Sequence, residues 1–147
     1  MVMSAICTKI VVPYDHSPLS KKALETAIKL ASQDENIELD IITVINATLS
    51  YNYYSLINEE EEFKTRSARA KEILDEAVKE VKKLPNKSET FILRGIPSEK
   101  IVEFVEQNNA DLIVMGSRGL SGLKELFLGS VSHNVVQSAP CPVFIVK

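Results

Sequence analysis

An apolar segment runs directly into a glycine turn at Asp111-Leu112-Ile113-Val114-Met115-Gly116-Ser117-Arg118-Gly119, and a second cluster of small residues follows at Gly129-Ser130-Val131-Ser132. The apolar segment is typical of a buried strand, and the second cluster opens a segment with helical character. Glycines and small hydroxyl residues therefore stand between a strand and the N-terminus of a helix. There, unpaired N–H groups carry partial positive charge, and glycine lets an anion approach the backbone. The pattern predicts a phosphate-binding turn.

Outward from this turn, strands and helices alternate along the chain. Apolar segments favour strands at 8–15, 38–45, 90–93, 111–115 and 143–146, and the first is apolar on both faces, as in the centre of a parallel sheet. Helical spacing and capping residues predict helices over 17–32, 63–83, 97–109 and from the glycine turn to 138. The order βαβαβαβαβ predicts an α/β fold, a doubly wound parallel sheet of five strands with helices on both faces.

Residues 46–62 sustain no hydrophobic period, so we expect a loop that leads into the second helix. The segment ends in the acidic run Glu59-Glu60-Glu61-Glu62. A solvated face is the expected role of this run, and a lid or partner surface is the alternative.

Length and charge exclude several classes of function. The 147 residues are expected to form a single domain, 1–147, and the net charge of −3 offers no basic surface to nucleic acid or an anionic membrane. No apolar run is long enough to span a bilayer, and the N-terminus does not resemble a signal peptide, so a cytoplasmic location is expected. Cys7 and Cys141 are too few for a disulfide scaffold and are expected to be reduced packing residues.

The glycine spacing is G-x2-G-x9-G-S, with the glycines at 116, 119 and 129. This is neither the dinucleotide fingerprint nor the Walker loop. With this spacing the chain resembles the ATP-binding branch of the universal stress protein family. Further matches follow in the same order at Val12-Pro13-Tyr14-Asp15, Gly95-Ile96-Pro97 and Cys141-Pro142-Val143. The resemblance covers essentially the whole chain apart from residues 46–62.

The resemblance implies a Rossmann-like sheet of the adenine nucleotide alpha hydrolase type, with strand order 3-2-1-4-5. In such a sheet the order reverses between strands one and four, so the loops at their carboxyl ends diverge and leave a crevice. The family binds ATP there, and Mg²⁺ or Mn²⁺ is expected to be held mainly by the phosphates, with no metal site of protein ligands. The expected binding residues are Pro13, Tyr14, Asp15, Val44, Met115, Gly116, Arg118, Gly119, Gly129, Ser130, Val131 and Ser132.

The resemblance gives Asp15 and Val44 specific roles. Asp15 would accept hydrogen bonds from ribose hydroxyls, whereas the residue type alone equally allows a carboxylate that supports the first helix. Val44 would offer its backbone N–H and C=O to the adenine edge, although the sequence alone indicates a core valine.

The phosphate end has similar alternatives. The three glycines are interpreted as sites of backbone access, with ordinary turn glycines as the alternative, and a side chain at Gly129 is expected to block phosphate and to strain the backbone. Ser130 and Ser132 would donate hydroxyls to phosphate or only cap a helix. Arg118, and more weakly Lys124, would neutralise phosphate charge or remain surface cations.

No catalytic residue is predicted, because the chain has no Walker lysine and no arranged acid–base pair around His16 or His133. The leading hypothesis is an ATP-binding regulatory domain with little intrinsic hydrolysis. A slow or partner-stimulated ATPase and an interaction module without nucleotide are the alternatives, and AMP or cyclic AMP remains open as the ligand.

The expected partners are an adenine nucleotide, a second copy of the chain and an unidentified protein. The family's strand order implies that the apolar strand Val143–Val146 lies at a sheet edge, and the resemblance implies a homodimer through it, because an uncovered edge is a template for pairing with another chain. A monomer that tolerates its short edge is the alternative.

Overall fold

The computed structural model describes residues 6–47, 53–119 and 128–147, with side chains of the second range described from residue 58. Within these ranges five parallel strands form one sheet in the order β3-β2-β1-β4-β5, as expected. The elements in chain order are β1 Lys9–Pro13, α1 Pro18–Ala31, β2 Glu38–Asn46, α2 Tyr53–Val81, β3 Ser88–Gly95, α3 Pro97–Gln107, β4 Leu112–Gly116, α4 Ser130–Ser138 and β5 Val143–Val146.

Two hydrophobic layers cover the two faces of the sheet. Residues of α1 and α2, among them Leu24 and Leu74, pack on one face, while Phe104 of α3 and Val135 of α4 pack on the other. The centre of β1 is fully buried because its neighbouring side chains point to opposite layers. Continuous apolar strands in the sequence therefore reflect burial on both faces.

The start of α1 shows how local sequence positions the site. The Ser17 hydroxyl accepts a hydrogen bond from the Ser20 N–H at 3.2 Å, and Pro18 occupies the first helical position, as predicted. This cap fixes the point at which the chain leaves the carboxyl end of β1. The residues just before it, 14–16, are thereby held at the edge of the sheet.

The prediction of a loop over 46–62 is wrong for residues 53–62, because α2 begins at Tyr53. Residues 48–52 lie outside the described ranges. Glutamate is a good helix former, and two described side chains of this part of α2, Glu60 and Phe63, contact Arg94 of β3. The Arg94 guanidinium lies 4.3 Å from the Phe63 ring centroid and 3.7 Å from Glu60 Oε1. In the acidic run, Glu60, Glu61 and Glu62 are exposed, which agrees with a solvated face.

No helix in the described ranges is both long enough and apolar enough to cross a membrane.

Candidate functional site

A cavity of roughly 740 Å³ opens at the carboxyl edge of the sheet, where the strand order reverses between β1 and β4. All twelve residues predicted from the sequence line it, although they come from four separate parts of the chain. They are Pro13, Tyr14, Asp15, Val44, Met115, Gly116, Arg118, Gly119, Gly129, Ser130, Val131 and Ser132.

Tyr14 holds the loop after β1 in place. Its backbone N–H donates to the Ile42 carbonyl at 2.8 Å, and its own carbonyl accepts from the Thr43 hydroxyl at 2.7 Å. The Tyr14 ring is buried in the layer formed by α1 and α2. Burial, reinforced by the negative charge of Glu76, raises the pKa of this phenol. Tyr14 therefore anchors the loop, and the neighbouring Asp15 is held at the cavity wall.

Asp15 meets the glycine loop across the crevice. Its Oδ1 accepts the Ser17 N–H at 3.0 Å, so the carboxylate does support the first turn of α1. Its Oδ2 lies only 2.6 Å from the position that a Cβ on Gly119 would take. A side chain at Gly119 would therefore displace the Asp15 carboxylate. The two motifs, about a hundred residues apart in the sequence, form one wall.

Gly116 and Gly129 have different surroundings. A Cβ on Gly116 would lie 2.8 Å from Leu19 Cβ and 3.0 Å from the Leu19 carbonyl carbon, so close packing of α1 against the end of β4 requires glycine. This packing role is the alternative to the predicted role of Gly116 in letting a phosphate approach the backbone. At Gly129 the nearest atom would be the Ser117 carbonyl oxygen at 3.4 Å, an ordinary contact.

The prediction that a side chain at Gly129 would strain the backbone is wrong. Its φ of −67° and ψ of 168° are available to any residue, and it serves as the N-cap of α4. A side chain at this position is therefore compatible with the protein as it stands.

The first turn of α4 presents backbone donors at the cavity. The first bond of the helix runs from the His133 N–H to the Gly129 carbonyl at 2.9 Å. The N–H groups of Ser130, Val131 and Ser132 come before this first bond of the helix, and the N-cap residue, Gly129, has no side chain to accept from them.

The Ser132 hydroxyl has a structural role. It is buried and donates to the Ser117 carbonyl at 2.7 Å. That carbonyl also accepts the Gly129 N–H at 2.7 Å, so the two bonds tie the loop after β4 to α4. A hydroxyl has a single proton, so the expected donation from Ser132 to phosphate conflicts with this bond. Ser130 is exposed and keeps that role as a prediction.

Arg118 is half-buried and lines the cavity. Lys124 lies outside the described residues.

The backbone groups of Val44 lie on the other side of the crevice. In β2 the Glu38 N–H donates to the Thr8 carbonyl and the Ile42 carbonyl accepts from the Tyr14 N–H, so the backbone N–H and C=O groups of even-numbered residues point toward β1. Val44 has the same parity and lies beyond the last residue of β2 that pairs with β1. Its backbone groups therefore face the gap where β1 leaves the sheet.

Neither histidine lines the cavity. His16 adopts a left-handed φ of 66°, and its Nδ1 lies 3.4 Å from Glu76 Oε2 on α2. His133 is exposed on α4. Across residues 6–47, 53–119 and 128–147, no three His, Cys, Asp or Glu side chains are grouped so that they could hold a metal ion.

The sequence reasoning missed nine residues that also line the cavity: Ser20, Ile42, Asn46, Arg66, Ile96, Pro97, Ser98, Ile101 and Asn134. Two of these groups could have been predicted. Ile42 lies two residues before Val44 on the same strand and so shares its face, and the Gly95-Ile96-Pro97 turn was already one of the matched motifs. Arg66 carried no sequence signal, because its place depends on how α2 packs beside the end of β2.

Comparisons with known proteins agree with the fold and span nearly the whole chain. The model of the universal stress protein family matches residues 7–147. Universal stress protein MJ0531 of Methanocaldococcus jannaschii is 38% identical over 143 residues, which is 95% of this chain and 81% of that protein.

Two solved structures are similar throughout. Universal stress protein UspA from Lactobacillus plantarum has a TM-score of 0.88 at 26% identity, covering 95% of this chain and 97% of that one. A universal stress protein solved in complex with cAMP has a TM-score of 0.73 at 29% identity, covering 98% of both chains. The family model, the relatives and the sheet order together show that this chain belongs to the universal stress protein family.

Proposed function

We propose that this chain binds ATP in the crevice between β1 and β4 and acts as a nucleotide-dependent regulatory domain of the stress response. The observation that carries the proposal is the order of functional groups across the sheet. Backbone groups of Val44 lie at the end of β2, the Asp15 carboxylate at the end of β1, and the donors of α4 beyond β4. This order corresponds to the base, ribose and phosphates of one nucleotide.

The base end supplies paired donor and acceptor groups in an apolar setting. The N–H and C=O of Val44 face the gap, and Ile42, Ile101 and Met115 supply apolar walls. Adenine presents a ring nitrogen acceptor beside an exocyclic amino donor, which one backbone residue matches. Asp15, one strand further along, is placed to accept from ribose hydroxyls.

The phosphate end supplies positive potential without a catalytic base. The first-turn N–H groups of α4 and the Arg118 guanidinium would neutralise phosphate oxygens. Any Mg²⁺ or Mn²⁺ would be held mainly by the phosphates. Asp15 is the one acidic side chain among the described residues that line the cavity, and it belongs to the ribose end. Phosphoryl transfer needs a positioned nucleophile, so we expect hydrolysis to be slow unless a partner completes the site.

The related structure with bound cAMP supports the class of ligand. That ligand contains adenine, ribose and one phosphate, so it shares the groups that the β2 and β1 ends would hold. ATP adds two phosphates, which the glycine loop, Arg118 and the first turn of α4 are placed to receive.

The direct test is titration of nucleotide-free protein with adenosine, AMP, cAMP and ATP by calorimetry. We expect saturable binding with affinity that rises from adenosine to ATP, because each added phosphate gains charge-assisted contacts. Heat-denatured protein, analysed beforehand, should release the nucleotide that co-purifies. If the protein binds none of these compounds, the proposal is overturned. Equal affinity for adenosine and ATP would overturn the assignment of the phosphate-binding groups.

We also propose that two copies pair through β5. Among the described residues this strand pairs only with β4, and Phe144 is 46% exposed. The Ser117 N–H donates to the Val146 carbonyl at 2.8 Å, so the end of β5 is hydrogen-bonded to the loop that follows β4. Light scattering should give twice the chain mass of 16.3 kDa, and Ile145→Pro, which removes a ladder donor, should give the single mass. A single mass for the unmodified protein would contradict the dimer.

A further inference from the structure

We infer that Arg66 contacts the base of the bound nucleotide and covers its outer face; this inference rests on the proposed function. Arg66 lies on α2 and lines the cavity. Its Nη1 donates to the Asn46 carbonyl at 3.1 Å, and its side chain is 48% exposed. The guanidinium is therefore held at the cavity by one hydrogen bond, while about half of the side chain stays exposed.

The bond to Asn46 places Arg66 at the base end. Asn46 is the last residue of β2 and follows Val44 by two positions. In the sheet β1 lies between β2 and β4, so the end of β2 is two strand spacings, about 10 Å, from the glycine loop. Arg118 is attached to that loop. The two arginines of the cavity thus stand at opposite ends of the proposed nucleotide.

The chemistry of this end favours a stacked contact. The aliphatic residues Val44, Ile96 and Pro97 also line the cavity, Ile96 is half exposed, and Gly95, which precedes Ile96, pairs with Asn46. A purine seated there would have apolar side chains on one face and would need cover on the other. A guanidinium plane stacks on an aromatic face and binds it electrostatically as well.

Anchoring of α2 alone does not explain Arg66. The same part of the helix is already tied to the sheet by Arg94, which packs on the Phe63 ring and pairs with Glu60. The ion pair of Arg66 with Glu62 is long, at 4.0 Å, and both side chains are largely exposed. Such a pair adds little stability.

The test compares affinities for adenosine, AMP and ATP in Arg66→Met, Arg66→Lys and Arg69→Met. Arg69 is the matched control, because it lies on the same helix, pairs with Glu72 at 3.4 Å and is absent from the cavity lining. We expect Arg66→Met to weaken all three ligands by the same factor, about fivefold, as loss of one cation–π contact predicts. Arg69→Met should bind as the unmodified protein does.

Arg66→Lys keeps the positive charge and a donor for the Asn46 carbonyl but lacks the plane, so it should recover only part of the affinity that Arg66→Met loses. It also carries the test if the methionine variant folds poorly, as thermal unfolding without ligand would show. Unchanged affinity in both Arg66 variants would overturn the inference, as would full recovery in the lysine variant or a loss that grows from adenosine to ATP. If the unmodified protein binds none of the three, the proposed function fails and this inference falls with it.

Discussion

The end of β4 and the first turn of α4 both carry a glycine of one motif, yet the two glycines meet different constraints. At Gly116 a Cβ would collide with Leu19 at 2.8 Å, whereas at Gly129 the nearest atom would be 3.4 Å away. The protein's own packing requires the first glycine and leaves the second unexplained. One glycine motif can therefore combine a packing requirement with a ligand requirement, and the space around each Cβ distinguishes the two.

Adding one Cβ at each position tests most clearly whether packing constrains Gly116 more than Gly129. Gly116→Ala forces α1 away from β4 and should lower the free energy of unfolding by about 2 kcal/mol, and Gly116→Val by about 3 kcal/mol. Gly129→Ala should cost less than about 1 kcal/mol, the loss of a glycine N-cap, because its dihedral angles suit alanine and no contact is tight. Urea unfolding of nucleotide-free protein measures both. Equal losses at the two positions would show that the comparison is mistaken.

A second prediction concerns affinity rather than stability. Gly129→Val should retain the fold but weaken ATP binding tenfold or more, about 1.4 kcal/mol, because its side chain fills the space that phosphate would enter. Titration with fluorescent ATP, with circular dichroism as the check on folding, gives the answer. A folded variant that binds ATP normally would remove Gly129 from the phosphate site.

The smallest expected effects separate the two serines of α4. Ser132→Ala removes the buried bond to the Ser117 carbonyl and should cost about 1 kcal/mol of stability. Ser130→Ala should leave stability unchanged, since its side chain is exposed, and should weaken ATP binding about threefold, in the range of one hydrogen bond. Thermal unfolding and titration of both variants test this division. The reverse pattern would mean that Ser132 is the phosphate donor.

Sequence patterns predicted much of this molecule because the sheet is buried on both faces. Apolar strands and capped helices such as Ser17-Pro18 appear directly in the residue order, and the family resemblance supplied the strand order. The strand order then brings Asp15 and Gly119 together, so a site assembled from distant motifs could be expected before any geometry was known.

The remaining features depend on tertiary contacts that no local pattern contains. The start of α2 at Tyr53 was missed because residues 46–62 sustain no hydrophobic period, and the contacts of Glu60 and Phe63 with Arg94 of β3 are tertiary. The Ser132 hydroxyl looked available for phosphate because its partner, the Ser117 carbonyl, is fifteen residues away. The packing role of Gly116 follows only from the approach of Leu19.

The central claim is that the phosphates of ATP lie at the first turn of α4 while the base lies at the end of β2. Amide chemical shifts of ¹⁵N-labelled protein during titration with ATP test it most directly. The account predicts that the largest shifts occur at Ser130, Val131 and Val44, and that adenosine moves Val44 but leaves the α4 amides nearly unchanged. Saturable shifts confined to other parts of the chain, with these amides unmoved, would contradict it.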